Sequence, residues 1–103
     1  MTVENMRSTR TGAKVTNQFI IRDGYRTVFQ SYDSTIAEID WNNATITIGK
    51  DWDYSATTGK YRNAFFEDMG FLRLANKQGL KKAIEQCYIV DDSGIKYEVV
   101  FEA

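Results

Sequence analysis

Asp51 and Asp53, two residues apart, and the adjacent Asp91 and Asp92 are the carboxylates whose spacing comes nearest to chemistry. Hard cations are held by several carboxylate or carbonyl oxygens, and paired carboxylates can share acid–base work inside a pocket. Neither pair sits in an Asp-x-Asp-x-Asp-Gly loop with a distant glutamate, and Asp91-Asp92-Ser93-Gly94 reads as a hairpin turn. The chain has no histidine, which removes the commonest general base and metal ligand. Its serines and threonines therefore lack an activating partner. Thr57-Thr58-Gly59-Lys60 contains a Gly-Lys step but not the upstream glycine of a phosphate loop. A Thr-Thr-Gly step at a helix start could hold an anion on free N–H groups, but simple capping is the favoured reading. No catalytic residue, metal or other cofactor is expected, and the chain reads as a non-enzymatic protein.

The stronger signal is aromatic. Tyr25, Tyr32, Trp41, Trp52, Tyr54 and Tyr61 all fall in or near the segment that joins a β-rich first half to a helical second half. Trp and Tyr bury much area at low entropic cost and are enriched at binding hot spots. Trp41 and Tyr61 are expected in the core. Trp52 and Tyr54 alternate with Asp51 and Asp53, so at least one of them should meet solvent. An acidic, aromatic loop suits a protein partner and repels phosphates. The expected protein-binding residues are Asp51, Trp52, Asp53 and Tyr54, with Tyr32 and Asp33 from a neighbouring turn.

Charge is uneven about a net of −1. Residues 1–30 carry Arg7, Arg10, Lys14, Arg22 and Arg26 against Glu4 and Asp23. These five cations define the alternative, a nucleic-acid-binding accessory, although their density is far below that of a nucleic-acid arm. Residues 31–70 lean acidic. Ordinary solvated surface accounts for most of this pattern.

The elements that must position these residues follow from hydrophobic period and turn chemistry. Residues 1–16 lack sustained periodicity and read as a mobile basic tail; residues 17–103 read as one α+β domain. Asn17–Arg22 and Tyr25–Tyr32 are strands about an Asp23-Gly24 turn of type I′. Thr35–Trp41 alternates, with Ala37, Ile39 and Trp41 on one face and Ile36, Glu38 and Asp40 on the other, and turns through Asn42-Asn43 into Ala44–Gly49. A helix should start near Thr57 or Thr58, bury Tyr61, Ala64, Phe65 and Met69, and stop at Gly70. A second, capped by Asn76, should run to about Gln86 with Leu80, Ala83, Ile84 and a buried Cys87 inward; Gly79 in it costs ~1 kcal/mol against alanine and marks fraying or a close contact. A final hairpin pairs Tyr88–Val90 with Ile95–Glu102, where Val100 on the wet face suggests an exposed edge or a dimer contact, and with it a further alternative, a self-associating structural domain. The order β-β-β-β-α-α-β-β predicts an antiparallel sheet with two helices on one face. One cysteine fits a reducing cytoplasm, and no apolar run reaches the ~18 residues of a membrane helix.

Phe29-Gln30-Ser31-Tyr32-Asp33-Ser34-x-Ile36-Ala37, followed by Trp52-Asp53-Tyr54-Ser55-x-Thr57-Thr58-x-Lys60-Tyr61, resembles a pattern in small accessory proteins of phages and plasmids of Gram-positive bacteria. With Asn17-Gln18-Phe19 the resemblance spans residues 17–66. It implies a mobile genetic element in a bacterial cytoplasm and a protein that acts by binding a host or phage protein. An inhibitor of a host defence nuclease, such as a CRISPR effector, is the sharpest form of that expectation. The resemblance brings no catalytic residues.

Overall fold

The computed structural model describes residues 1–8 and 10–102. It is an α+β fold: a seven-stranded sheet, mostly antiparallel, packed against two helices. The strands are β1 (Thr2–Arg7), β2 (Lys14–Asp23), β3 (Arg26–Ser31), β4 (Ser34–Asp40), β5 (Thr45–Gly49), β6 (Tyr88–Val90) and β7 (Lys96–Glu102); the helices are α1 (Ala56–Asp68) and α2 (Lys77–Gln86). Strands β1 to β5 form an antiparallel meander, and β7 inserts between β5 and β6, parallel to β5.

Of residues 1–16, expected as a mobile tail, Thr2–Arg7 instead form β1 and residues 14–16 the start of β2; Thr9 lies outside the described residues. Val3 pairs with Ile21 and Asn5 with Phe19, and Met6 joins the core. One inward apolar residue in a polar edge strand is too weak a pattern to register as a strand from sequence. The last strand is corrected too: β7 is interior, so Val100 lies on the uncovered sheet face and β6 is the edge on that side.

The covered face of the sheet holds Phe29, Ala37, Ile39, Ile46, Ile48, Tyr97 and Val99, packed on Phe65, Phe66, Leu80 and Ala83 of the helices. Phe29 stacks on Phe65 at 5.6 Å, and Phe71, beside the short 3-10 turn Leu72–Leu74, meets Tyr97 edge-on at 4.9 Å. Ile36, set by the alternation on the face of Glu38 and Asp40, is fully buried because Phe29 pairs with Ala37 while Gln30 pairs with Thr35. The extra residue is a bulge that turns Ile36 and Ala37 both out of solvent. Trp41, expected in the core, is 38% exposed. It opens the β4–β5 loop rather than closing β4, and covers Phe71 and Tyr97 from the rim while its Nε1 donates to Thr27 Oγ1 at 2.9 Å.

Helix ends obey local chemistry with two corrections. Ser55, not Thr57 or Thr58, caps α1, its Oγ accepting from the Thr58 N–H at 3.1 Å. Gly70 follows the helix at φ 88°, and Asn76 caps α2 through the Gly79 N–H at 2.7 Å. Cys87 is exposed, not buried: α2 ends at Gln86, and Cys87 takes a left-handed φ of 66° that swings it off the apolar stripe.

The turns lean on carboxylates. The β2–β3 loop is Gly24-Tyr25, with positive φ at Gly24 alone, so it is not the type I′ turn expected at Asp23-Gly24. Asp40 accepts from the backbone and side chain of Asn43 and the backbone of Asn42, and Asp91 from the Ile95 N–H and from Ser93. These bonds hold both carboxyls below the usual carboxylate range. A depressed folded pKa contributes stability in full above the unfolded value, and that stability is lost as pH falls through the folded value. Acidification should therefore loosen the β4–β5 and β6–β7 loops only below the ordinary carboxylate range. Side-chain carboxyl NMR should find Asp40 and Asp91 titrating below the ordinary carboxylate range; midpoints within or above that range would contradict the geometry.

Candidate partner-binding site

Two loops come together at one end of the sheet. The first, residues 50–55, joins β5 to α1. Backbone bonds from Trp52 N to Gly49 O at 3.2 Å and from Tyr54 N to Asp51 O at 3.1 Å curl it tightly. The second is the β3–β4 turn, whose two loop residues are Tyr32 and Asp33 between the paired Ser31 and Ser34. A hydrogen bond from Ser34 Oγ to Asp51 Oδ2 at 2.8 Å ties one loop to the other.

Below the first loop lies Arg62, only 2% exposed. Thr58, Arg62, Phe65 and Phe66 fall at i, i+4, i+7 and i+8, which puts them on one face of α1; that spacing was the available sequence signal for a buried arginine. Arg62 Nη1 donates to the Trp52 carbonyl at 2.6 Å and Nη2 to Asn63 Oδ1 at 3.1 Å. Its Cζ sits 5.3 Å from the Trp52 ring centre and Nη1 3.9 Å from Asp53 Oδ1. Burial lowers its proton affinity, which Asp53 partly restores. Asp53 also pairs with Lys77 Nζ at 2.8 Å. Trp52 is half-buried against the core. Trp52 and Asp53 thus anchor the loop, while Tyr54, 71% exposed, projects from it.

Tyr32 is 46% exposed and has φ of 54°. The β2–β3 turn puts glycine at the equivalent first loop position; here the same backbone carries a tyrosine, at a cost of about 1–2 kcal/mol. Strain of this kind persists where surrounding structure enforces it, and it concentrates at functional sites. Here the Tyr32 N–H donates to Asn17 O at 2.7 Å, and Gln30 Nε2 donates to Tyr32 O at 2.8 Å.

Tyr32, Asp33 and Tyr54 line one cleft of about 180 Å³ with Ser31, Ser34, Ile36 and Thr58. A broader cleft of about 620 Å³ adjoins it through Asp33 and Ser34, and Asp51, Glu38 and Glu102 also line that one. The structure therefore brings Tyr32, Asp33, Asp51 and Tyr54 together and sets Trp52 and Asp53 behind them as support. Sequence reasoning missed Arg62 and the hydroxyl pair beneath the cleft, Ser31 Oγ to Thr58 Oγ1 at 2.9 Å. It also missed Gln18, fully buried opposite Ser31, whose amide atoms have no hydrogen-bond partner among the described residues.

The other candidates are spent or dispersed. Asp91 is tied to its turn, and Asp92 Oδ1 accepts from the Leu72 N–H at 3.0 Å. Arg22 pairs with Glu4 and Arg26 with Glu38. Arg7 donates to Gly12 O within the β1–β2 loop region. Lys14 and Arg22 lie eight residues apart along β2, ~26 Å at strand rise, and Arg22 and Arg26 point to opposite faces of the sheet. The five cations do not form one surface.

A protein-family profile aligns with residues 1–85, and the chain belongs to that family, a family of unknown function (DUF8033). The match takes in β1 to β5, α1 and most of α2, and so both loops of the site. No curated protein and no solved structure matches the chain. Among the described residues no helix is long and apolar enough to cross a membrane.

Proposed function

We propose that this chain is a non-enzymatic protein-binding module whose contact surface is the Tyr32–Asp33 turn and the Tyr54 tip, with Asp51 at the rim. The observation that carries the reading is Tyr32. A half-exposed aromatic is held in backbone that glycine would occupy without strain, beside a second, largely exposed aromatic. Neither ring adds much to the core, and together they supply the kind of anchor that dominates protein interfaces. The carboxylates near them are engaged in loop and ion-pair contacts or lie open on the surface, an arrangement that suits recognition. In the setting implied by the phage and plasmid resemblance, the partner is a host or phage protein in the bacterial cytoplasm, and inhibition of a host defence nuclease such as a CRISPR effector is the sharpest form of the reading.

The test is affinity capture from a bacterial host lysate with wild type, Tyr54→Ala and Tyr32→Gly in parallel. Both variants should fold. Tyr32→Gly should even raise the melting temperature, because glycine relieves the backbone strain. Each should cost a specific partner ~2 kcal/mol or more of binding, about thirtyfold. Equal recovery of the same proteins by all three chains would remove the reading. Salt-sensitive DNA or RNA binding carried by Arg7, Arg10 and Lys14 would replace it with the nucleic-acid alternative.

A further inference from the structure

We infer that the cleft between Tyr32 and Tyr54 receives the guanidinium of an arginine side chain, presented by the partner. The inference rests on the partner-binding reading and names the chemistry at its centre. Its first support is how this chain holds its own arginine one loop away. Arg62 lies over the Trp52 ring at 5.3 Å, donates to a carbonyl at 2.6 Å and has the Asp53 carboxylate at 3.9 Å. An aromatic face, a neutral oxygen and a carboxylate make up that arrangement. The Tyr32–Tyr54 cleft gathers the same groups: two tyrosines, the Asp33 carboxylate, and the hydroxyls of Ser31, Ser34 and Thr58 over Ile36. Asp33 makes no ion pair or hydrogen bond among the described residues, so its oxygens are open to a donor.

Size and field agree. About 180 Å³ is below the range of small-molecule pockets and suits one side chain entering from a partner's surface. The adjoining cleft carries Asp33, Glu38, Asp51 and Glu102 against Arg26 and Lys50, and Arg26 is already paired with Glu38. The approach is therefore negative and steers a cation inward. The N-terminus of α1 opposes this, but Ser55 caps its Thr58 N–H, and among the described residues Asp33 supplies the only full charge lining the cleft. Arginine fits better than lysine because its flat, weakly hydrated cation stacks on rings and can bind a carboxylate through two N–H groups.

The probe is N-acetyl-arginine methylamide, titrated into the isotopically labelled full chain and followed by backbone amide shifts. Its uncharged citrulline counterpart is the control. Saturable shifts centred on Tyr32, Asp33 and Tyr54 are expected, with citrulline at least about tenfold weaker and Asp33→Asn at least about fivefold weaker at unchanged melting temperature. Absent shifts at these residues, equal binding of citrulline, or inorganic phosphate taking the same site would overturn the inference. Capture of a partner that depends on Tyr54, with no response to the arginine probe, would sink the guanidinium site and leave the partner-binding reading standing. A clean arginine response with capture indifferent to Tyr54 would do the reverse.

Discussion

Gly79→Ala is expected to destabilise the domain by about 2 kcal/mol or more, although alanine is the better helix former by ~1 kcal/mol. Gly79 lies in the first turn of α2, where the helix presses against the turn before it. A Cβ built there would stand 1.9 Å from the Arg73 carbonyl oxygen, 3.1 Å from its carbon and 3.3 Å from Asn76 Oδ1. The first two are backbone atoms and the third is the cap of the same helix, so no side chain can swing away to make room. The helix must shift off the Leu72–Leu74 turn, and Leu80 and Ala83 would leave their places in the core with it. In a thermal melt a loss of that size lowers the midpoint by roughly 10 °C in a domain this small. A midpoint that stays or rises would mean α2 does not sit this close. Gly49, where a Cβ would stand 2.2 Å from the Thr35 carbonyl oxygen, closes the β4–β5 end of the sheet for the same reason.

Arg62→Ala is expected to cost about 3 kcal/mol, while Arg62→Met should stay within about 1 kcal/mol of wild type. The difference separates what the side chain's bulk does from what its charge does. Its bulk fills the space between α1 and the Trp52 ring, and alanine would leave a cavity there. Its charge is costly to bury: the site is almost dry, Nε has no partner among the described residues, and Asp53 is 3.9 Å away and shared with Lys77. Removing the cation does not strand a buried carboxylate either, because Asp53 is part-exposed and keeps Lys77. Methionine retains the unbranched stem and loses chiefly the bond to the Trp52 carbonyl. Equilibrium denaturation of the two variants decides the matter. Equal large losses would show that the guanidinium's own bonds hold the loop. In Arg62→Ala the 50–55 loop should loosen, and with it the placement of Tyr54.

Several features of this fold were legible because their causes are local. Asn76 caps α2 by reaching a backbone N–H three residues on, and Gly70 ends α1 through its own φ. The alternation of Ala37 and Ile39, and of Ile46 and Ile48, points one way whatever the sheet's order. The misses depend on distant partners. Met6 counts as core only once β2 is beside it. Ile36 is inward because β3 offers one residue where β4 has two. Trp41 is on the rim because the β4–β5 loop is longer than Asn42-Asn43 implied. Cys87 faces water because α2 ended one residue before the stripe did.

The candidate site divides in the same way. Tyr32, Asp33, Asp51 and Tyr54 could be singled out from the sequence, where aromatics stand beside carboxylates in turn-forming segments. That Trp52 and Asp53 serve as the loop's footing, with an arginine sealed under them, could not be. By itself the amino-acid order determined the hairpin strands from residue 17 to 49, the two helices and where each helix stops, because those choices turn on contacts a few residues long; β1 was not among them. Only the folded chain decided that Tyr32 and Tyr54 should face one another across a cleft. Their nearness depends on β4 and β5 lying side by side, and on a serine of one loop reaching the carboxylate of the other, and such long-range pairings leave no local mark.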